Sequence, residues 1–170
     1  MTVPVSNTSP LTNLAAIGHF DLLRQLYGTL WIAEAVWEEL NAGGRVWPGR
    51  EDVAGAAWIA RRAVANHPLV TALRERLDRG EAETIALAVE CRPPFILMDE
   101  TEGRHAAQRL GFKTVGVVGV LIEARSRGLI ARVGPLLERL RRDAGFYLSD
   151  RVIHAARARC GEASAPGTAN

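Results

Sequence analysis

The sequence predicts an α/β fold, an open and largely parallel sheet whose strands alternate with helices, and three observations carry that expectation. Short apolar runs alternate with amphipathic stretches of about ten residues, the rhythm of strands joined by helical crossovers. Phe95-Ile96-Leu97-Met98 is a continuous apolar run, as in a strand buried on both faces. Glycine and proline fall at the joints, as in Ser9-Pro10, Gly43-Gly44, Pro93-Pro94 and Gly128.

The elements follow in order. Val3-Pro4-Val5-Ser6 reads as a strand that stops at Asn7. Thr8 or Ser9 can cap the next helix, Pro10 suits its first turn, and Leu11, Leu14, Ala15 and Ile17 form its apolar stripe up to Gly18. A short helix spans about Phe20 to Tyr27, Leu30-Trp31-Ile32 is a strand, and Glu34 to Leu40 is a helix presenting Val36, Trp37 and Leu40 on one face. Gly44 to Glu51 is a loop, and Asp52 opens a helix expected to reach about Asn66. Leu69-Val70 reads as a short strand, and helices at Leu73 to Leu77 and Ala82 to Glu90 are separated near Asp78-Arg79-Gly80. After the strand at 95–98, Thr101 caps a helix through Leu110, Thr114-Val115 is a strand, and Val117 to Arg127 is a helix closed by Gly128. Pro135 to Arg142 and Asp150 to Arg159 are helices flanking an expected edge strand at Phe146-Tyr147-Leu148.

At 170 residues, 48% hydrophobic and 24% charged, the chain has the balance of one ordinary globular domain. That domain is placed at residues 1–160, with residues 161–170 as a disordered tail on their Gly, Ala, Ser and Pro content. No apolar run approaches the roughly 20 residues of a membrane span, and the start, Met1-Thr2-Val3-Pro4-Val5, lacks a secretory pattern, so the expected address is the cytoplasm with no membrane partner. Cys91 and Cys160 have neither disulfide nor metal spacing. A net charge of +2 falls short of a dedicated nucleic-acid arm, and the cationic residues are arginines apart from Lys113.

In an open parallel sheet the carboxyl ends of the strands face one crevice, which makes Asn7 and Asp99 the first candidates for a site. Glu39, near the end of its helix, and Glu81, opening the helix after Gly80, are placed to lean over the same opening, with Glu83 and Glu100 as neighbouring carboxylates. Oxygen donors of this kind suit a hard divalent cation, which takes one or two carboxylates, several waters and the phosphates of a substrate. Each residue also has an ordinary structural reading. Asp99, Glu81 and Glu83 are acids where helix dipoles favour them, Glu39 and Arg104 can form surface ion pairs, and Asn7 can cap or turn. Walker-type and dinucleotide glycine loops are absent, His19, His67, His105 and His154 are scattered, and Ser9 lies outside any nucleophile elbow.

Taken together and in order, Ser6-Asn7-Thr8-Ser9-Pro10-Leu11, Val36-Trp37-Glu38-Glu39-Leu40, the block from Gly80 to Ala88, Leu97-Met98-Asp99-Glu100 with Arg104, and Gly116 to Leu121 running on through Ala124 to Ile130 resemble a bacterial and archaeal PIN-domain subfamily. The resemblance covers roughly residues 3 to 150 and implies a PIN-like three-layer α/β/α sandwich with a mainly parallel sheet. It further implies a Mg²⁺- or Mn²⁺-dependent ribonuclease similar to VapC-type toxins, acting on single-stranded RNA, with a small antitoxin protein and a second copy of the chain as partners. The family's acids would fall at Asn7, Glu39, Glu81 (or Glu83) and Asp99 with Glu100 beside it, so the catalytic set would be Glu39, Glu81 and Asp99. Thr8, Ser9 and Arg104 would meet the nucleic acid. Position 7 departs from the pattern, because an amide offers a cation one neutral oxygen and no charge. The alternative is a catalytically weak or inactive domain of the same fold that binds RNA or a protein partner.

Overall fold

The computed structural model describes residues 2–162. In chain order the elements are β1 (Val5–Ser6), α1 (Thr8–Ala16), α2 (Leu22–Tyr27), β2 (Leu30–Ala33), α3 (Glu34–Asn41), α4 (Arg50–Gly55), β3 (Ile59–Arg62), α5 (His67–Leu73), α6 (Arg79–Cys91), β4 (Ile96–Leu97), α7 (Thr101–Arg109), β5 (Thr114–Val115), α8 (Val117–Ser126), α9 (Gly134–Asp143) and α10 (Asp150–Arg159). The strands form one parallel sheet in the order β3-β2-β1-β4-β5. The expected α/β architecture, helices about a parallel sheet, is what the chain adopts.

Side chains alternate across the sheet as the strand period of two requires. Leu30, Ile32 and Leu97 enter one apolar cluster with Leu11 and Leu14 of α1 and Val117, Val120 and Leu121 of α8. Trp31, Ala33, Ile96 and Met98 face the other side, where Ile85, Ala86 and Ala88 of α6 and Ala106 and Ala107 of α7 cover them. Helix α6 lies buried from Gly80 to Ala88, Glu81, Glu83 and Thr84 included, as a helix covered on most of its surface.

Several boundaries differ from expectation for identifiable reasons. The helix expected from Asp52 to Asn66 ends at Gly55, because Ile59–Arg62 pairs along its whole length with β2. Arg61 and Arg62 there lie over the rings of Trp37 and Trp31, at 5.0 and 4.6 Å from the ring centres. Leu69-Val70 is helical, inside α5, whose start is set by Pro68 in the first turn and by Asn66 accepting the Leu69 N–H. Leu73 to Leu77 contains only the end of that helix and the turn after it. Phe146-Tyr147-Leu148 alternates in burial like a strand but pairs with none among the described residues, and runs as irregular chain between α9 and α10. The residue preceding α7 is Glu100 rather than Thr101, and the one preceding α1 is Asn7 rather than Thr8 or Ser9.

Of the expected tail, Gly161 and Glu162 are described, and the Glu162 carboxylate accepts the N–H groups of Val133 and Gly134 at the start of α9. The remainder, residues 163–170, lies outside the described residues. Among the described residues no helix is long and apolar enough to cross a membrane.

Candidate functional site

The strand order makes the site. The chain winds outward from β1 through β2 to β3, returns to the opposite side of β1 as β4, and continues to β5, so winding reverses between β1 and β4. Where the winding reverses, the loops leaving the carboxyl ends of neighbouring strands diverge and leave a crevice. Asn7 follows β1 and Asp99 follows β4 by two residues, and the Asn7 N–H donates to the Leu97 carbonyl at 2.9 Å, tying the two strand ends together. A cleft of about 360 Å³ opens there, with Asn7, Glu39, Asp78, Asp99 and Glu100 in its wall.

Each polar group is held by a specific partner. Thr8 and Ser9 do not cap α1 with their side chains. The Thr8 hydroxyl donates to Glu39 Oε2 at 2.7 Å, and the Ser9 hydroxyl donates to Asp99 Oδ2 at 3.2 Å. Asp99 Oδ1 accepts the Val117 N–H at 2.8 Å, at the first turn of α8, where the helix dipole favours a negative charge. Asn7 Nδ2 donates to Glu100 Oε2 at 3.1 Å, an arrangement that fixes the amide, since turning it over would set two oxygens against each other. That leaves Asn7 Oδ1 without a hydrogen-bond donor among the described residues, although the residue is only 3% exposed. An unpaired buried carbonyl costs about 1–3 kcal/mol, so this orphan asks for an electropositive partner.

Glycines make room for these oxygens. A Cβ on Gly80 would stand 3.1 Å from Glu39 Oε2, 3.3 Å from Asn7 Oδ1 and 3.4 Å from Asp78 Oδ1. One on Gly116 would stand 2.8 Å from both Asp99 Oδ1 and Arg104 Nη1, which places the guanidinium beside that carboxylate. One on Gly103 would come to 2.5 Å from the buried Met98 Sδ and 3.1 Å from Glu81 Oε1. Gly103→Ala sets a helix-propensity gain of up to about 1 kcal/mol against overpacking of about 1–3 kcal/mol. Met98 is fully buried among Ile85, Ile96, Ala106 and Ala107, so its thioether moves aside only by displacing packed neighbours, and the overpacking wins. The expected result is a net loss of roughly 1–2 kcal/mol in chemical denaturation.

The carboxylates pay one electrostatic cost for standing together. Burial pushes Asp99 up to about 6, with the Glu100 charge adding to it and the Val117 N–H, Ser9 and Arg104 opposing it. Burial likewise pushes Glu81 up to about 7, against the Asp78 N–H and with the charges of Asp78, Glu100 and Glu39. Glu39 is raised by burial, lowered by the Thr8 hydroxyl, and raised again by Asp78 and Glu100. Like charges crowded in a poorly hydrated place favour protons or a cation.

Asn7, Glu39, Asp99 and Glu100, expected from sequence, therefore share one cleft. Glu81 is 6% exposed and is not among the residues lining the cleft. Its Oε2 accepts the Asp78 N–H at 2.9 Å while Asp78 Oδ1 accepts the Glu81 N–H at 2.8 Å, a reciprocal cap on α6. Glu83 is engaged elsewhere, because its oxygens accept the Ala35 N–H and Arg79 Nε, both at 2.9 Å, at the start of α3. Sequence reasoning missed Asp78, whose Asp-x-x-Glu spacing to Glu81 signals a helix cap, and it missed the aromatic rim of Trp47, Phe146 and Tyr147, for which no local signal exists.

Among the described residues, no three His, Cys, Asp or Glu side chains stand close enough together to enclose a metal ion. The donor set nonetheless fits a hard cation such as Mg²⁺ or Mn²⁺. All its donors are oxygens, Asn7 Oδ1 is orphaned, and such ions need only one or two carboxylates when waters and substrate phosphates complete the shell.

A family model described as DUF3368, PIN domain, matches residues 3–162. No curated protein and no solved structure matches the chain significantly.

Proposed function

Because the chain belongs to the PIN-domain family, whose fold is that of a nuclease, we propose that it is a metal-dependent ribonuclease hydrolysing phosphodiester bonds in single-stranded RNA. The observation that carries this reading is the buried, donorless Asn7 Oδ1 in the same cleft as Glu39, Asp99 and Glu100. Mg²⁺ or Mn²⁺, when bound, supplies charge neutralisation at the phosphate and acidifies a water.

The chain's own residues do the rest. Asp99 and Glu39 are held in orientation by Ser9 and Thr8, so little freedom is lost when they bind. Arg104, beside Asp99, offers a guanidinium to a phosphate oxygen. Around the mouth, Trp47 lies under the Arg45 guanidinium at 3.7 Å, and Tyr147 stands 88% exposed next to Phe146. The exposed tyrosine ring beside an acidic, cation-dependent centre suits an unstacked base, which stacks on it without sequence preference. Tyr147→Ala is expected to weaken single-stranded RNA binding by about 1 kcal/mol or more, roughly fivefold, in fluorescence anisotropy. Equal affinity would remove Tyr147 from the binding surface.

The direct test is incubation with a mixture of structured and single-stranded RNAs in Mg²⁺, Mn²⁺ or chelator. Cleavage confined to single-stranded RNA and lost in chelator supports the reading; cleavage unchanged in chelator refutes it. A second reading, a binding domain without catalysis that holds RNA or a partner such as a small antitoxin protein, is favoured by the neutral amide at position 7 and by the lack of a three-acid cage among the described residues. Under that reading the protein retains RNA or partner and cuts nothing in any metal.

A further inference from the structure

Asp78 comes from the loop before α6, not from a strand end, yet its carboxylate reaches the same small space as Asn7 and Glu39. Glu39 Oε2, Asn7 Oδ1 and Asp78 Oδ1 all lie within 3.4 Å of the point a Gly80 side chain would occupy. The three oxygens come from three separate parts of the chain, and a glycine keeps the space between them open.

One of the three shows that the space suits a ligand. Asn7 is buried, its Nδ2 is fixed by Glu100, and its Oδ1 receives no hydrogen from any described residue. The other two have capacity left, since each carboxylate oxygen can accept more than the one hydrogen bond it has, from Thr8 to Glu39 and from the Glu81 N–H to Asp78. A neutral amide contributes no charge to a cation, so charge must come from its neighbours.

We propose that Asp78 is a cation-binding residue, joining Glu39 and the Asn7 amide oxygen in a seat beside Gly80 for one hard divalent cation and providing the negative charge that position 7 lacks. This rests on the reading of the cleft as cation-dependent. It adds a residue to the site and assigns position 7 a workable chemistry, with the charge relocated across the cleft rather than lost.

Asp78 also caps α6, so the test must separate cap from charge. Asparagine caps as well as aspartate, and Asp78→Asn therefore keeps the hydrogen bond to the Glu81 N–H while removing the charge. The full chain is titrated with Mn²⁺ by calorimetry at neutral pH, and melting temperatures are taken in chelator, for wild type, Asp78→Asn, Asp78→Ala, Asn7→Asp and the double variant of Asp78→Asn with Asn7→Asp. Asp78→Asn should weaken Mn²⁺ binding at least about tenfold with its melting temperature unchanged. Asn7→Asp should tighten it, and the double variant should return toward wild type. Wild-type affinity in Asp78→Asn, or a double variant no better than Asp78→Asn, would overturn the assignment while leaving the nuclease reading standing. A melting-temperature loss as large as that of Asp78→Ala would make Asp78 a structural cap alone. No Mn²⁺ binding by the wild type would remove the cation-dependent reading and this assignment with it.

Discussion

Asp99→Asn is expected to reduce metal-dependent RNA cleavage by about a hundredfold or more, the scale for loss of an electrostatic contact made to developing charge, without lowering the melting temperature. The two effects separate because asparagine reproduces the hydrogen bonds. Its oxygen can accept the Val117 N–H as Asp99 Oδ1 does, and its amide can donate to the Ser9 hydroxyl, which then turns to accept. Only the charge is lost. Burial already disfavours the charged carboxylate, so in chelator the variant should be as stable as the wild type or more so. Initial rates on single-stranded RNA, with thermal melts on the same preparations, check both halves. Full activity in a well-folded variant would remove Asp99 from the chemistry.

The cation-free protein should lose stability as pH rises from mildly acidic to neutral, opposite to the usual behaviour of a protein rich in paired carboxylates. Asp99 is raised from 3.8 to about 6 and Glu81 from 4.5 to about 7, while Glu39 moves the same way. Between the unfolded and folded values the native state holds more protons than the unfolded one, so stability is greatest below about 4 on these groups' account and falls until about pH 7. The Asp99 shift alone corresponds to something on the order of 3 kcal/mol, and because the groups share one field their contributions do not simply add. Asp143, lowered by Arg142, pulls the other way, but it sits at the surface where water and salt screen it. The buried cluster therefore wins. Chemical denaturation across this range in chelator should show the decline, and Mn²⁺ should flatten it by competing with protons for the same oxygens. Stability that rises toward neutral pH in chelator would contradict the electrostatic account.

Much of this was legible in the sequence, and the parts that were not share a physical cause. The strands at Val5–Ser6, Leu30–Ala33, Ile96–Leu97 and Thr114–Val115 announce themselves as apolar runs between turn residues, and the rule that polar residues follow strands picks out Asn7 and Asp99. Ile59–Arg62 has no such signature. It is an edge strand whose arginines lie on tryptophan rings of neighbouring elements, and only pairing with β2 makes it a strand. Leu69-Val70 is too short for periodicity to decide, and Asn66 with Pro68 was the stronger sign. Phe146 and Leu148 turn inward around an outward Tyr147, a strand-like alternation produced by packing without a partner strand.

The site divides along the same line. Residues fixed by topology were visible, whereas Asp78 and the aromatic rim depend on how loops close over the crevice. Glu83 shows the converse. It is an acid in a plausible position, but one buried N–H and one arginine claim it for a helix start.

A crystal grown with Mn²⁺ and measured for anomalous scattering puts the matter most simply. A manganese peak within roughly 2.0–2.6 Å of Asn7 Oδ1, the range for oxygen ligands of hard divalent ions, with at least one of the Asp78, Glu39 and Asp99 carboxylates beside it, is the predicted result. Density that leaves the Asn7 oxygen facing only water, with the metal elsewhere or nowhere, would contradict it.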